Sequence, residues 1–487
     1  MVTFVFLYID PSLMSTTRKI AHNTLIQIIG KAISTVLGLI VLAMMTRYLG
    51  QEKFGWYITT IAFLQFVAIL IDFGLVPVTA QMMSSTVFEK KKLFQNLLAY
   101  RFFSALLFLG VAPLVALFFP YPTEVKIAIA FSTISFLSVA LNQVLIGFYQ
   151  TQLKMYIPTV GELLGRIFLL IGVYFFIQTE GGFLPIMGVV AASSVVYTLF
   201  IWVKARTMTS VGFSFDLQIW KAITAKMWPI AISIIFNVVY LKGDVLILAQ
   251  FREQTEVGLY GAAYRVLDVV TQTAMMLMGV MLPLLAYAYS QDNRENFKKH
   301  FQMAFDSMML LAFPMMIGIM VLADKIMLLV AGEAFLQSGI ILRILSIAVF
   351  GVYLGAVFGH TAVSIEKQKQ TIWVYISSAL ITLLGYLFLI PPFGMYAAAW
   401  MTVFSEIYVG FFLYLTVRHY SKVHLEGITF AKIVFSSLVM GATLFLFQHL
   451  NIFFLIPLGV IIYGFFALSL GVVSKDTLKE VFRINVL

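Results

Sequence analysis

Five basic and four acidic residues sit inside long apolar runs: Lys31, Arg101, Arg166, Lys242 and Arg265, with Asp72, Glu162, Asp244 and Asp268. A charge at the centre of a membrane-spanning helix costs roughly 2.5–3.5 kcal/mol or more. It is kept where it faces a watery hollow or a partner of opposite sign. Basic side chains are in slight excess here, so a hollow lined by them suits an anion.

Lys31 lies ten residues into the first apolar run, roughly 15 Å deep by helix rise. Its stem is too short to reach the interface, so it faces a cavity or pairs with a carboxylate. Arg166 is equally central, with Glu162 four residues earlier on the same helical face. Either the two neutralise each other, or Glu162 holds the guanidinium ready for a phosphate. Arg101 and Arg265 lie closer to span ends, where cavity lining competes with snorkelling, and Arg265 has Asp268 one turn along. Arg343 is nearer its outer end and is expected to snorkel or pair. Arg47 opens the loop after the first run and reads as a cavity mouth or an interfacial anchor.

Lys242 and Asp244, two residues apart, must point to different faces. An acid in such a helix is a natural site for a coupling proton or sodium ion. Asp244 and Asp72 lead that set, and Glu162 and Asp268 complete it. Each has the alternative of neutralising a basic neighbour. Asp72-Phe73-Gly74 offers a local helix break. Glu406 is assigned no role.

These residues need helices to hold them across a bilayer. The chain has 487 residues, 61% hydrophobic and 11% charged, with a mean hydropathy of +0.97. That composition reads as a polytopic membrane protein. About 20 apolar residues cross the hydrocarbon as a helix. The runs are long and lack sustained period-two alternation, so a helix bundle is expected rather than a barrel. About fourteen spans fit: an N-terminal segment 1–20, a six-helix bundle over 21–206, a linker 207–221, a second six-helix bundle over 222–417, two further helices over 429–473 and a tail 474–487. Of the 32 lysines and arginines, 21 fall in segments on the side of the N-terminus and 5 on the opposite side. By the positive-inside rule both ends are cytoplasmic. The same bias accounts for the net charge of +10 without nucleic acid.

The two bundles repeat each other. Phe54-Gly55-Trp56-Tyr57 matches Val257-Gly258-Leu259-Tyr260. The run from Leu75 through Pro77 to Ala80 matches Met281 through Pro283 to Ala286. Pro113 matches Pro314, and Gly188-Val189-Val190-Ala191-Ala192 matches Gly394-Met395-Tyr396-Ala397-Ala398. The offsets stay between 201 and 206. Six helices per unit is an even number, so both units point the same way, as in transporters with parallel repeats, and cargo is expected between them. Pro77 and Pro283 are hinge candidates, or static bends.

With no cysteine, disulfides, iron–sulfur clusters and thiol chemistry are excluded. The six histidines show no metal-binding spacing, so neither metal nor cofactor is implied. Residues 1–13 lack the basic start of a signal peptide, and translation is expected to begin at Met14.

Thr46-Arg47-Tyr48-Leu49-Gly50, Phe54-Gly55-Trp56-Tyr57 and Leu70-Ile71-Asp72-Phe73-Gly74-Leu75 together resemble the N-terminal signature of polysaccharide transporters. Lys242-Gly243-Asp244, followed by the stretch from Val257 to Arg265, resembles the same family's seventh and eighth spans. These transporters stand near the O-antigen flippases, in the multidrug/oligosaccharidyl-lipid/polysaccharide (MOP) exporter superfamily. The resemblance implies an all-α, MATE-like fold in the cell membrane. It implies a flippase that moves an undecaprenyl-diphosphate-linked oligosaccharide from the inner to the outer leaflet by alternating access, for surface polysaccharide. The partners implied are that lipid-linked oligosaccharide diphosphate, the bilayer, protons or sodium, and other polysaccharide-assembly proteins. Lys31 and Arg166 would bind the diphosphate, with Arg101, Arg265 and Arg47 as further candidates. An exporter of cationic drugs is the alternative within the superfamily, and the buried cations disfavour it. A polysaccharide polymerase or ligase would need a large outer loop with catalytic residues, and the outer loops here are short. No enzyme is expected.

Overall fold

The structure is a computed structural model and describes residues 16–72, 75–84, 88–291 and 293–472. The expected start at Met14, Phe73-Gly74 and the tail 474–487 lie outside these residues. Among the described residues there is no strand. The helices are α1 (Thr16–Asp72), α2 (Leu75–Ser84), α3 (Lys90–Ala116), α4 (Thr123–Thr151), α5 (Tyr156–Gln178), α6 (Phe183–Arg206), α7 (Leu217–Phe251), α8 (Gln254–Ser290), α9 (Arg294–Val330), α10 (Ser338–Ser364), α11 (Ile372–Ser421), α12 (Gly427–Leu446) and α13 (Ile452–Ser469).

Among the described residues, eleven helices are long and apolar enough to cross a membrane. Two of these are broken once. Gly50 breaks α1 at φ 68°, and Gly394 breaks α11 at φ 58°. Both angles belong to the left-handed region, which an L side chain resists. Each break turns one long helix into two spans, α1a (16–49) and α1b (51–72), then α11a (372–393) and α11b (395–421). Together with α7, this gives about fourteen spans in the expected order. Large apolar side chains such as Phe118, Phe388, Phe454 and Ile461 are exposed. A water-facing surface would not tolerate so many; a bilayer does. The protein is a multi-pass membrane protein.

The chain forms two compact units. The first comprises Met1–Leu49 and Thr59–Ile235, the second Gly50–Ile58 and Phe236–Leu487. The division falls inside α7, which begins at Leu217, five residues before the expected span. In the first unit, buried apolar residues of α2, α3, α4 and α6 share a core with the start of α7, among them Leu75, Leu97, Val144, Ile201 and Ile219. The stretch 207–216 is non-helical and clamped to the start of α3. Gln95 Nε2 donates to the Ser210 carbonyl (3.0 Å), and the Asp216 N–H donates to Asn96 Oδ1 (2.7 Å). Asp216 then caps α7 by accepting from Gln218 N–H (2.9 Å) and pairs with Lys92 at 2.5 Å. Lys92 holds its carboxyl below the usual aspartate value.

In the second unit, the start of α1b crosses the start of α8 with the two backbones in contact. A Cβ on Gly55 would strike the Gln254 carbonyl, and a Cβ on Gly258 would strike the Gln51 carbonyl and lie 3.0 Å from Gly55 N. Gln51 and Gln254, like Gly55 and Gly258, are 203 residues apart. The repeat read from sequence thus meets itself, position for equivalent position. The last two helices pack on α9 through Leu322, Met440, Leu444 and Leu455.

Candidate functional site

Span α1a packs on α5 through small residues four apart. Gly30 abuts Thr159, Ser34 meets Glu162, and the Arg166 guanidinium lies over Gly38, 3.7 Å from where a Cβ would stand. This stripe builds a polar cluster. The Ser34 hydroxyl, 1% exposed, donates to Glu162 Oε1 at 2.7 Å and accepts from Arg166 Nε at 3.3 Å. Lys31 Nζ stands 3.5 Å from the same Oε1. The expected direct hold of Glu162 on Arg166 is therefore made through Ser34. The side chains of Lys31 and Glu162 stay 38% and 30% exposed. The cluster thus carries two positive charges and one negative, and it is open on one side. A bound phosphate could be met by both cations, while Glu162 restrains them. Ser34 escaped the sequence reading, although the Gly30–Ser34–Gly38 spacing announced a helix contact there.

Arg101 is placed differently. It is 2% exposed and donates to the Asp72 carboxylate at 2.9 Å, the Ile71 carbonyl at 2.8 Å and the Ala140 carbonyl at 3.3 Å. Ile71 and Asp72 end α1b, so the guanidinium satisfies a helix C-terminus and ties three helices together. This is a structural pair; snorkelling is ruled out by its burial. Arg47 is exposed and bonds the Ala43 carbonyl at the end of α1a (3.0 Å). It lies sixteen residues from Lys31, about 24 Å along the helix. Pro77 falls in the first turn of α2, where a helix has no N–H to lose. Pro283 lies inside the continuous α8.

The second unit gathers the remaining charges. Asp268 is shared by Lys242 at 3.7 Å and Arg265 at 3.6 Å. Lys242 also stands over the Tyr264 ring (4.6 Å) and Arg265 over that of Tyr57 (5.8 Å). Beside them is a cavity of about 510 Å³ between α7, α8, α10 and α11, whose walls include Lys242, Asp268, His360, Tyr375, Thr402 and Glu406. Asp244 faces away from Lys242, as its spacing required. It is 1% exposed and accepts hydrogen bonds from the Tyr260 hydroxyl (2.5 Å) and the Val245 N–H (2.7 Å). Arg343 pairs with Asp324 at 2.5 Å and is part-exposed, as expected of a residue near a span end. Among the described residues no three His, Asp or Glu side chains are grouped to hold a metal.

Residues 44–340 match the family described as "Polysaccharide biosynthesis protein". The chain is similar to the "Probable low-salt glycan biosynthesis flippase Agl15" of Haloferax volcanii, 23% identical over 254 residues that cover 50% of this chain and 52% of Agl15. It therefore spans about half the length of that curated relative. Among solved structures, "Lipid II flippase MurJ" in an inward closed conformation superposes with a TM-score of 0.74 at 16% identity, over 90% of this chain and 97% of MurJ. An inward-facing MATE multidrug transporter of the MOP superfamily gives 0.66 at 15% identity, over 80% and 94%. Likeness at such low identity is a likeness of fold. The family match covers more than half the sequence, and with it the chain belongs to the polysaccharide biosynthesis protein family, built on the fold of MOP-superfamily transporters.

Proposed function

We propose that the protein is a flippase, carrying a polyprenyl-diphosphate-linked oligosaccharide from the cytoplasmic to the outer leaflet of the cell membrane by alternating access. The observation that carries this reading is the half-open Lys31–Ser34–Glu162–Arg166 cluster at membrane depth. A diphosphate needs cationic donors held out of bulk water but still reachable. The lipid tail can remain in the bilayer while the sugars follow a wet path. The family and the fold support a transporter over an enzyme. The basic loops support cytoplasmic termini and, with them, a cargo picked up from the inner face.

The test is binding and flipping of a labelled polyprenyl-diphosphate disaccharide by the full chain in proteoliposomes. Lys31→Ala and Arg166→Ala should each weaken binding by about tenfold or more, since a hydrogen bond to a charged group is worth roughly 1.5–3 kcal/mol. Both variants should reach the membrane in normal amounts. Full binding and flipping in both would remove the cluster from the cargo path. Preferential binding of a cationic dye would instead favour a drug exporter.

A further inference from the structure

We propose that the stretch 207–216 is an aromatic wedge seated in the inner leaflet, and that the exposed basic ends of α3, α6 and α7 around it hold the headgroups of anionic phospholipids. The choice of leaflet rests on the orientation read above; the lipid-binding surface itself does not.

The stretch runs down α3 and back. Gln95 Nε2 donates to the Ser210 hydroxyl at 2.9 Å as well as to its carbonyl, and Asn96 accepts from the Asp216 N–H. Between these two ties the chain reaches Phe213. Its ring stacks on Phe102 (5.0 Å between centroids) and meets Phe103 (6.4 Å) and Trp202 (6.3 Å) edge-on. Phe102 lies seven residues beyond Gln95, up to roughly 10 Å further along the helix. α3 enters the membrane at its Lys90 end, so that direction leads into the bilayer. Non-helical backbone survives there only where protein groups satisfy it, and Gln95 and Asn96 supply such groups from within an apolar helix.

The rings are only half used by the protein. Phe215 packs on Phe103 at 5.3 Å and Trp220 at 5.7 Å, and Trp220 meets Tyr100 at 5.2 Å. Yet Phe213, Phe215 and Leu217 keep 44%, 64% and 76% exposure. Exposed Phe103 is continued along the same face of α3 by exposed Leu106 and Leu107. Aromatic rings at the end of a lipid-facing stripe sit at the headgroup boundary.

The rim around the rings is basic. Lys90 and Lys91 open α3, Lys204 and Arg206 close α6, and Lys221 and Lys226 lie early in α7; all are exposed. The three ends stand side by side, because Leu93, Phe94, Ala205 and Ile219 share one buried core. Lys92 is already neutralised by Asp216. Among the described residues none of the other six cations is in an ion pair, and the acid left on these ends is Glu89. Such a surplus draws an anionic lipid surface, by about fivefold in affinity for each Lys or Arg close to it. A water-borne protein could match the charges but could not reach rings sunk along the lipid-facing side of α3.

The test uses the absence of cysteine. The full chain carrying Phe215→Cys, labelled with bimane, is placed in lipid nanodiscs, whose two faces are equivalent. Nitroxide phosphatidylcholine labelled high on its acyl chain should quench the dye more than lipid labelled at the chain end, and more than a water-soluble nitroxide. At equal mole fraction, phosphatidylglycerol labelled at the same position should quench more than phosphatidylcholine. Lys204→Gln with Arg206→Gln should lower that preference by about tenfold or more, at about fivefold per charge. Salt should weaken the preference without moving the depth profile. Spin resonance of the same lipids around the wild type and the Lys204→Gln, Arg206→Gln variant reads the preference without the cysteine. Strongest quenching from water marks a surface open to a soluble protein and overturns the proposal. Equal quenching by the two lipids, or a preference that survives loss of both charges, overturns it too. If the disaccharide is not flipped while the quenching behaves as described, the flippase reading falls and the lipid surface stands.

Discussion

Replacing Arg101 with methionine separates a structural cation from a cargo-binding one. The guanidinium holds the Asp72 carboxylate and two backbone carbonyls, and the side chain is 2% exposed. Methionine fills much of the space but satisfies none of these acceptors. Breaking a buried ion pair from one side costs about 3–5 kcal/mol. Asp72 keeps 20% exposure, so water recovers part of that, and about 3 kcal/mol is expected. In a chain this long, that lowers the thermal midpoint by several degrees, on a scale of about 2–4 °C per kcal/mol for 150–250 residues. The assay is thermal unfolding of the protein in nanodiscs, followed by intrinsic fluorescence. Replacing both partners (Arg101→Met with Asp72→Leu) should recover most of the loss, because no buried charge is then stranded. Disaccharide binding by the folded fraction should be unchanged. If Arg101→Met keeps its stability and loses binding, the assignment is wrong and Arg101 belongs to the cargo site.

Gly394→Ala should destabilise the second unit by about 1–3 kcal/mol, read by the same unfolding assay. The left-handed turn would be strained, and the new methyl would push into Glu256, whose Oε2 accepts from Met395 N–H at 3.0 Å. Gly258→Ala should be worse, because what it meets is the Gln51 backbone, which cannot step aside; little folded protein should be recovered by size-exclusion chromatography. Acid should release the 207–216 stretch. The Asp216 carboxyl is depressed by Lys92 in the folded state, so its contribution is present at neutral pH and is lost as pH falls through the folded value, below the ordinary 3.8. Hydrogen exchange at Gln218 and Ile219 should rise there. Asp216→Asn should abolish the pH dependence. Glu426 with Lys298 (2.9 Å), at the start of α12, should behave alike.

The internal repeat was legible at an unusual level of detail. Gln51 and Gly55 align with Gln254 and Gly258 in sequence, and the fold presses those four residues together. The breaks were half legible. Gly394 was named only as a repeat anchor and Gly50 only as part of a motif, because a glycine does not reveal whether its φ is positive until the chain around it is built. Asp72 was expected beside a helix break, and α1 does end there, yet its binding of Arg101 depends on how α3 is rotated. Glu406 had no sequence signal beyond its depth. Its setting comes from a cavity walled by helices that begin as far apart as 217 and 372.

The sequence alone decided that the chain crosses a membrane about fourteen times, that its two halves repeat, and that charges are stationed at depth. Hydropathy, proline and glycine spacing and the distribution of basic loops are properties of short stretches, and short stretches carry them unaided. Only the tertiary structure decided which charges are spent on each other and which are left open. Lys31 and Glu162 are 131 residues apart and Tyr260 and Thr402 are 142 apart. Their meeting depends on the rotation of each helix about its axis, which is settled by packing between distant segments.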